Sequence, residues 1–196
     1  MTNRREFLRT AAAATAGGVV TGGAAAASPL PLPLHAVLIE TTFPQTHAFG
    51  ASLATAASAP LLHLRQGDIT AAWLQHIAPI WQREPVALAG LTLSSSLFCL
   101  ETLTSLTPLR VQFHAEHVLL PDGRVQHRVL RGGDSAQLNE DHLHRLGPLW
   151  PTHLADAVAV HRRADSRQRL GPSVAALTPS LPDGASLLTS WIIAPV

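Results

Sequence analysis

Between Leu34 and Leu120 the chain alternates short apolar runs with Ala-rich, helix-patterned segments, and this alternation limits the fold more than any other feature. Leu34 to Ile39 is an apolar run of strand type that ends at Glu40. Pro44 to Ala57 is Ala-rich, carries Phe49 and Leu53 at helical spacing, and is broken by Pro60. A second strand is expected at Leu61 to Leu64. After the Gly67-Asp68 turn, Asp68 is placed to cap a helix over Ile69 to Trp81, which Pro79 should bend or shorten. A third strand is expected at Val86 to Gly90. Thr92 to Ser96 then supplies caps for a helix carrying Leu97, Leu100 and Leu103. Leu109 to Leu120 reads as a longer strand. It turns at Pro121-Asp122-Gly123 into Arg124 to Leu130, a hairpin.

This order of elements predicts an α/β domain: three layers around a mostly parallel sheet of about five or six strands, flavodoxin- or Rossmann-like, with an antiparallel hairpin at one edge. Beyond the hairpin, Gly132-Gly133-Asp134 opens a polar loop, and Thr152 to Arg163 is expected to be helical. Arg162 to Arg169 is a charged run, and Leu187 to Ile193 a last strand containing Trp191.

The first residues carry a different kind of information. Arg4-Arg5-Glu6-Phe7-Leu8-Arg9 precedes an uncharged, weakly apolar stretch, Thr10 to Ala27, which ends in Ala25-Ala26-Ala27 before Ser28-Pro29. Paired arginines followed by Phe7, Leu8 and a basic residue resemble a bacterial twin-arginine signal, and Ala25 and Ala27 fit a small-x-small cleavage site. The stretch lacks the Leu, Ile and Phe density of a stable membrane anchor. The resemblance implies a partner, the twin-arginine translocation machinery, and a periplasmic or secreted protein that leaves the cytoplasm folded. The expected organisation is a signal over 1–27, a Pro-rich tether over 28–33 and one α/β domain over 34–196.

Charge bears on partners. The chain has 14 basic and 13 acidic side chains. The signal segment removes Arg4, Arg5, Arg9 and Glu6, so the remainder is left one negative charge in excess. That balance offers no footprint for nucleic acid. With one cysteine, Cys99, no disulfide forms within the chain, and the core alone must hold the domain.

In open α/β sheets ligands gather at the carboxyl ends of parallel strands. That rule selects Glu40, Asp68, Gly90, Thr92 and Ser94 as a ligand-binding lining. The small residue at a strand end and the hydroxyls at a helix start suit an anion, although helix capping alone would also explain Thr92 and Ser94. No dinucleotide or Walker pattern is present. His114 and Glu116, on one face of the fourth strand, are the candidate acid–base pair, with His117 on the other face. His142 and His144 would share a face if extended. Trp150-Pro151 is expected to lie in a loop, which makes Trp150 the tryptophan expected to line a pocket. The leading expectation is an exported module that binds a small, anionic ligand. The alternatives are a periplasmic enzyme using His114 and Glu116, with or without a metal, and an escort or maturation partner of a co-exported enzyme. No cofactor is identified by a motif.

Overall fold

The computed structural model describes residues 33–132, 139–160 and 181–195. The signal, residues 28–32 of the tether, most of the polar loop and the charged run at 162–169 lie outside them. The apolar runs become strands β1 (Leu34–Glu40), β2 (Leu61–Leu64) and β3 (Ala87–Leu93), and the hairpin becomes β4 (Leu109–Leu119) and β5 (Val125–Arg131). A last strand, β6 (Ser186–Pro195), completes a six-stranded sheet in the order β2-β1-β3-β6-β4-β5. β1 is parallel to both β2 and β3, whereas β6 is antiparallel to β3 and β4. The sheet is therefore an open mixed one, with β5 at its edge. The last strand lies inside the sheet, between two strands of the alternating series. Its residues are buried on both faces, as a central position demands.

Helices cover both faces. Val37, Ile39, Ala89, Phe113 and Ile192 pack on one side with Phe49 and Leu53 of α1 (Pro44–Ala57) and Leu154 and Val158 of α5 (Trp150–Ala159). Leu38, Leu88, Trp191 and Ile193 pack on the other side with Ile77 of α2 (70–81) and Leu97 and Leu100 of α3 (Ser94–Thr104). Each fully buried side chain of this size contributes roughly 1.5–3 kcal/mol. A short helix, α4 (Glu140–Arg145), and a 3-10 turn (Gly147–Leu149) lead into α5.

Local chemistry explains the boundaries. Pro44 opens α1, and Ser58, with φ 51°, closes it by returning its N–H to Ala54 and Thr55 carbonyls. In α2, α-helical Thr70–Ala72 and Ala78–Trp81 flank a π-helical stretch, Trp73–Ile77. Pro79 has no N–H to give and crowds the preceding turn, so the helix widens just before it rather than breaking. Helix α5 spans Trp150–Ala159, two residues earlier at its start than the sequence suggests; Trp150 is its first residue, not part of a loop. His142 and His144 lie on α4, so the extended pairing expected for them is not formed.

The third strand runs three residues further than expected, which places Gly90 and Thr92 inside it. A Cβ at Gly90 would stand 2.5 Å from Trp191 Cζ2 and 2.9 Å from the Leu38 carbonyl oxygen. The closeness of the backbone serves the indole, whose Nε1–H donates to Thr92 Oγ1 at 3.0 Å. Gly90→Ala should cost about 1–3 kcal/mol, because neither backbone nor a locked indole can yield. Urea unfolding would measure it.

Candidate functional site

At the carboxyl end of β1 the Glu40 side chain is fully buried. Its Oε1 accepts Gln66 N–H at 2.9 Å and its Oε2 accepts Gly67 N–H at 2.8 Å, while the Thr42 hydroxyl donates to Oε1 at 3.1 Å. Gln66 and Gly67 both have positive φ, 52° and 75°, so their N–H groups converge as an anion-binding nest. The chain's own carboxyl fills that nest. Gly67 in turn accepts the Ser96 hydroxyl at 3.1 Å, which ties the loop to α3. Asp68 is exposed and accepts Thr70 N–H at 2.8 Å at the start of α2; the Thr70 side chain first, and then its N–H, hold the carboxyl below the ordinary range. Ser94 is exposed at the first position of α3, and the helix has no side-chain cap. Thr92 is buried against Trp191. Glu40, Thr92 and Ser94 thus surround one end of the sheet, with Glu40 occupied by backbone donors.

His114 and Glu116 share a face of β4, as the strand period requires. Glu116 Oε2 receives two hydrogen bonds from Arg128 of β5, from Nε at 3.1 Å and Nη2 at 2.6 Å. Burial, opposed by Glu116 and reinforced by Arg131 and Arg128, lowers His114 below the ordinary histidine range.

His117 faces the other way, and around it lies a constellation that the residue pattern did not single out. β4 and β5 pair His117 with His127. His117 Nδ1 is 2.8 Å from His127 Nδ1, and His117 Nε2 is 2.7 Å from Ser190 Oγ of β6. The His117 ring stacks on Trp150, with centroids 4.4 Å apart, and His127 meets the same indole edge-on at 5.1 Å. His117 and Ser190 are fully buried and Trp150 is 1 % exposed. Burial first, and then the neighbouring His127 and His114, hold His117 well below the ordinary range. Burial, with His144 nearby, lowers His127 to about 4. Both rings are therefore neutral at pH 7, and each nitrogen between them acts as either donor or acceptor.

His127 lines a cleft of about 360 Å³ together with Gln45, Arg124, His144, Gly147 and Trp150. The cleft lies at the carboxyl end of the sheet, between the β4–β5 turn and the first residues of α1 and α5. No carboxylate is among the described residues that line it. Gln45 Oε1 is buried and has no hydrogen-bond partner among them. Trp150, the tryptophan singled out from the sequence, does line this cleft. Among the described residues no three His, Cys, Asp or Glu side chains gather as a metal-binding group, and no helix is long and apolar enough to cross a membrane.

Compared with known proteins, the chain matches no family model, no curated protein and no solved structure.

Proposed function

We propose that this chain is an exported α/β module that binds a small anionic ligand in the cleft between the β4–β5 turn and the starts of α1 and α5. The observation that carries the proposal is the lining: its titratable side chains are Arg124, His127 and His144, with no acidic group. The first turn of α1, which places Gln45 in the cleft, adds the positive potential of a helix N-terminus. Arg124 also contacts Asp122 at 2.7 Å, an exposed pair that a competing anion can displace cheaply. Export by the twin-arginine route into the periplasm or beyond belongs to the same proposal and rests on Arg4-Arg5-Glu6-Phe7-Leu8-Arg9. The β2-β1-β3 order, with α1 and α5 on one face and α2 and α3 on the other, supports a flavodoxin-like origin for this half of the sheet.

A thermal-shift screen with small carboxylates and phosphate esters tests the binding proposal. A ligand at 100 times its Kd should stabilise the protein by about 2.7 kcal/mol. Arg124→Ala should weaken that response. If no compound of either class raises the Tm, the module does not bind such ligands.

A second reading, acid–base chemistry by His114 and Glu116, is favoured by one observation: burial keeps His114 neutral beside a carboxylate. Arg128 stands against it, because it engages that carboxylate from the neighbouring strand.

A further inference from the structure

The cleft histidine does not stand alone. His127 is joined through His117 to Ser190, three polar groups in line from the cleft to the middle of the sheet. Two proton arrangements satisfy the line. In one, Ser190 donates to His117 Nε2, His117 Nδ1–H donates to His127 Nδ1, and His127 carries its own proton at Nε2. In the other, His127 Nδ1–H donates to His117 Nδ1, His117 Nε2–H donates to Ser190 Oγ, and His127 Nε2 is a bare lone pair. Only the second arrangement lets His127 accept another proton while keeping every bond. The added proton enters at Nε2, Nδ1–H continues to donate to His117, and His117 continues to donate to Ser190. The N–H···N bond then becomes charge-assisted and stronger.

We propose that the cleft takes up a small oxyanion together with one proton from solvent, held at His127 Nε2 and supported through Nδ1–H by His117 and Ser190. This rests on the cleft being the anion site. The groups that face His127 are His117 from β4, His144 from α4, and Arg124 with its partner Asp122 from the β4–β5 turn. α1 contributes Gln45 and α5 Trp150, neither of which titrates. His114 acts on His117 from the opposite face of β4. An empty cleft leaves the positive charge of an imidazolium beside His144 and Arg124 uncompensated. An anion compensates it, so ligand and proton favour each other's binding. Ser190 is a positioning residue: without its oxygen, His117 Nε2–H has no acceptor, and the tautomer that receives the His127 proton is disfavoured.

Sulfate is the probe, because it does not titrate between pH 5 and pH 7.5, so any proton taken up belongs to the protein. Calorimetric titration of the purified protein with sulfate, in two buffers of different ionisation enthalpy, reads affinity and uptake together. The expected result is uptake approaching one proton at the acid end, with affinity rising there by about tenfold for each pH unit of decrease and less steeply towards pH 7.5. His127→Gln should abolish the uptake. Ser190→Ala should reduce uptake and acid-side affinity while leaving affinity at pH 7.5 little changed. Binding that is equally tight at every pH, without uptake, overturns the coupling and leaves the anion site standing. Uptake that survives His127→Gln overturns the assignment to His127. No sulfate binding at any pH overturns both the coupling and the cleft as an oxyanion site.

Discussion

Glu40→Gln should destabilise the domain by about 3 kcal/mol, although it changes one atom of a side chain that no solvent reaches. The carboxyl of Glu40 accepts from Gln66 N–H, Gly67 N–H and the Thr42 hydroxyl, and it has acceptor capacity for all of them. A glutamine keeps one acceptor oxygen and turns an NH2 towards a backbone N–H. One hydrogen bond to a charged group is lost and a part-buried backbone donor is left without its acceptor, a loss of about 3 kcal/mol at the upper end of such bonds. The same loop holds Gln66 and Gly67 at positive φ and anchors Ser96 of α3, so the damage should spread to the start of that helix. The Glu40 main chain, which accepts the Thr46 hydroxyl at the start of α1, is untouched by the change. Urea unfolding of the two proteins gives the difference directly. A loss below about 0.5 kcal/mol would mean that the nest does not depend on this carboxyl.

Acid should weaken the ligand-free protein well before its carboxylates are protonated. His117 and His127 are neutral in the fold and titrate near 6.5 once unfolded. Between those limits the unfolded chain binds more protons than the folded one, so stability falls as pH falls. The loss begins near pH 6.5, and for His127 it levels off near its folded value of about 4. His127 alone accounts for about 2 kcal/mol after allowance for its partial contact with solvent, and His117, fully buried, adds to it over the same window. Urea midpoints measured from pH 7.5 to pH 4 should decline steadily, and His127→Gln should flatten part of the slope. A midpoint constant across that range would contradict the burial of the pair.

Much of the architecture is legible in the residue pattern. The alternation of apolar runs with Ala-rich segments marks β1 to β3 and α1 to α3, and Pro121-Asp122-Gly123 marks the hairpin. The position of β6 is harder to read, because periodicity identifies a strand without naming its neighbours. One clue was present: Leu187 to Ile193 is apolar on both faces, which suits a central strand better than an edge. The extension of β3 past Gly90 follows from its pairing with β6, which sets Leu91 to Leu93 opposite Ser190 to Leu188, and Gly90 itself leaves the space that the Trp191 indole takes.

The site divides in the same way. Strand period alone separates His117 from His114 and Glu116. Hairpin register carries the rest: His117 and His127 lie at equal distances from Asp122 at the centre of the turn, so they pair directly. Ser190 and Gln45 come to the cleft region from strand and helix far along the chain, and no local spacing announces them. The rule that ligands gather at the carboxyl ends of strands points to the correct end of the sheet for the cleft. It also points to the β1–β3 loops, where the anion-binding nest is occupied by Glu40.

The most direct test of the anion cleft is a nuclear magnetic resonance titration of the 15N-labelled protein with the best ligand from the thermal-shift screen. The account predicts that the largest shifts fall on the Gln45 side-chain amide, the Arg124 and His127 signals and the Trp150 indole N–H. Shifts confined to His114, Glu116 and Arg128, or to the Gln66 and Ser94 loops, would place the ligand elsewhere and contradict it.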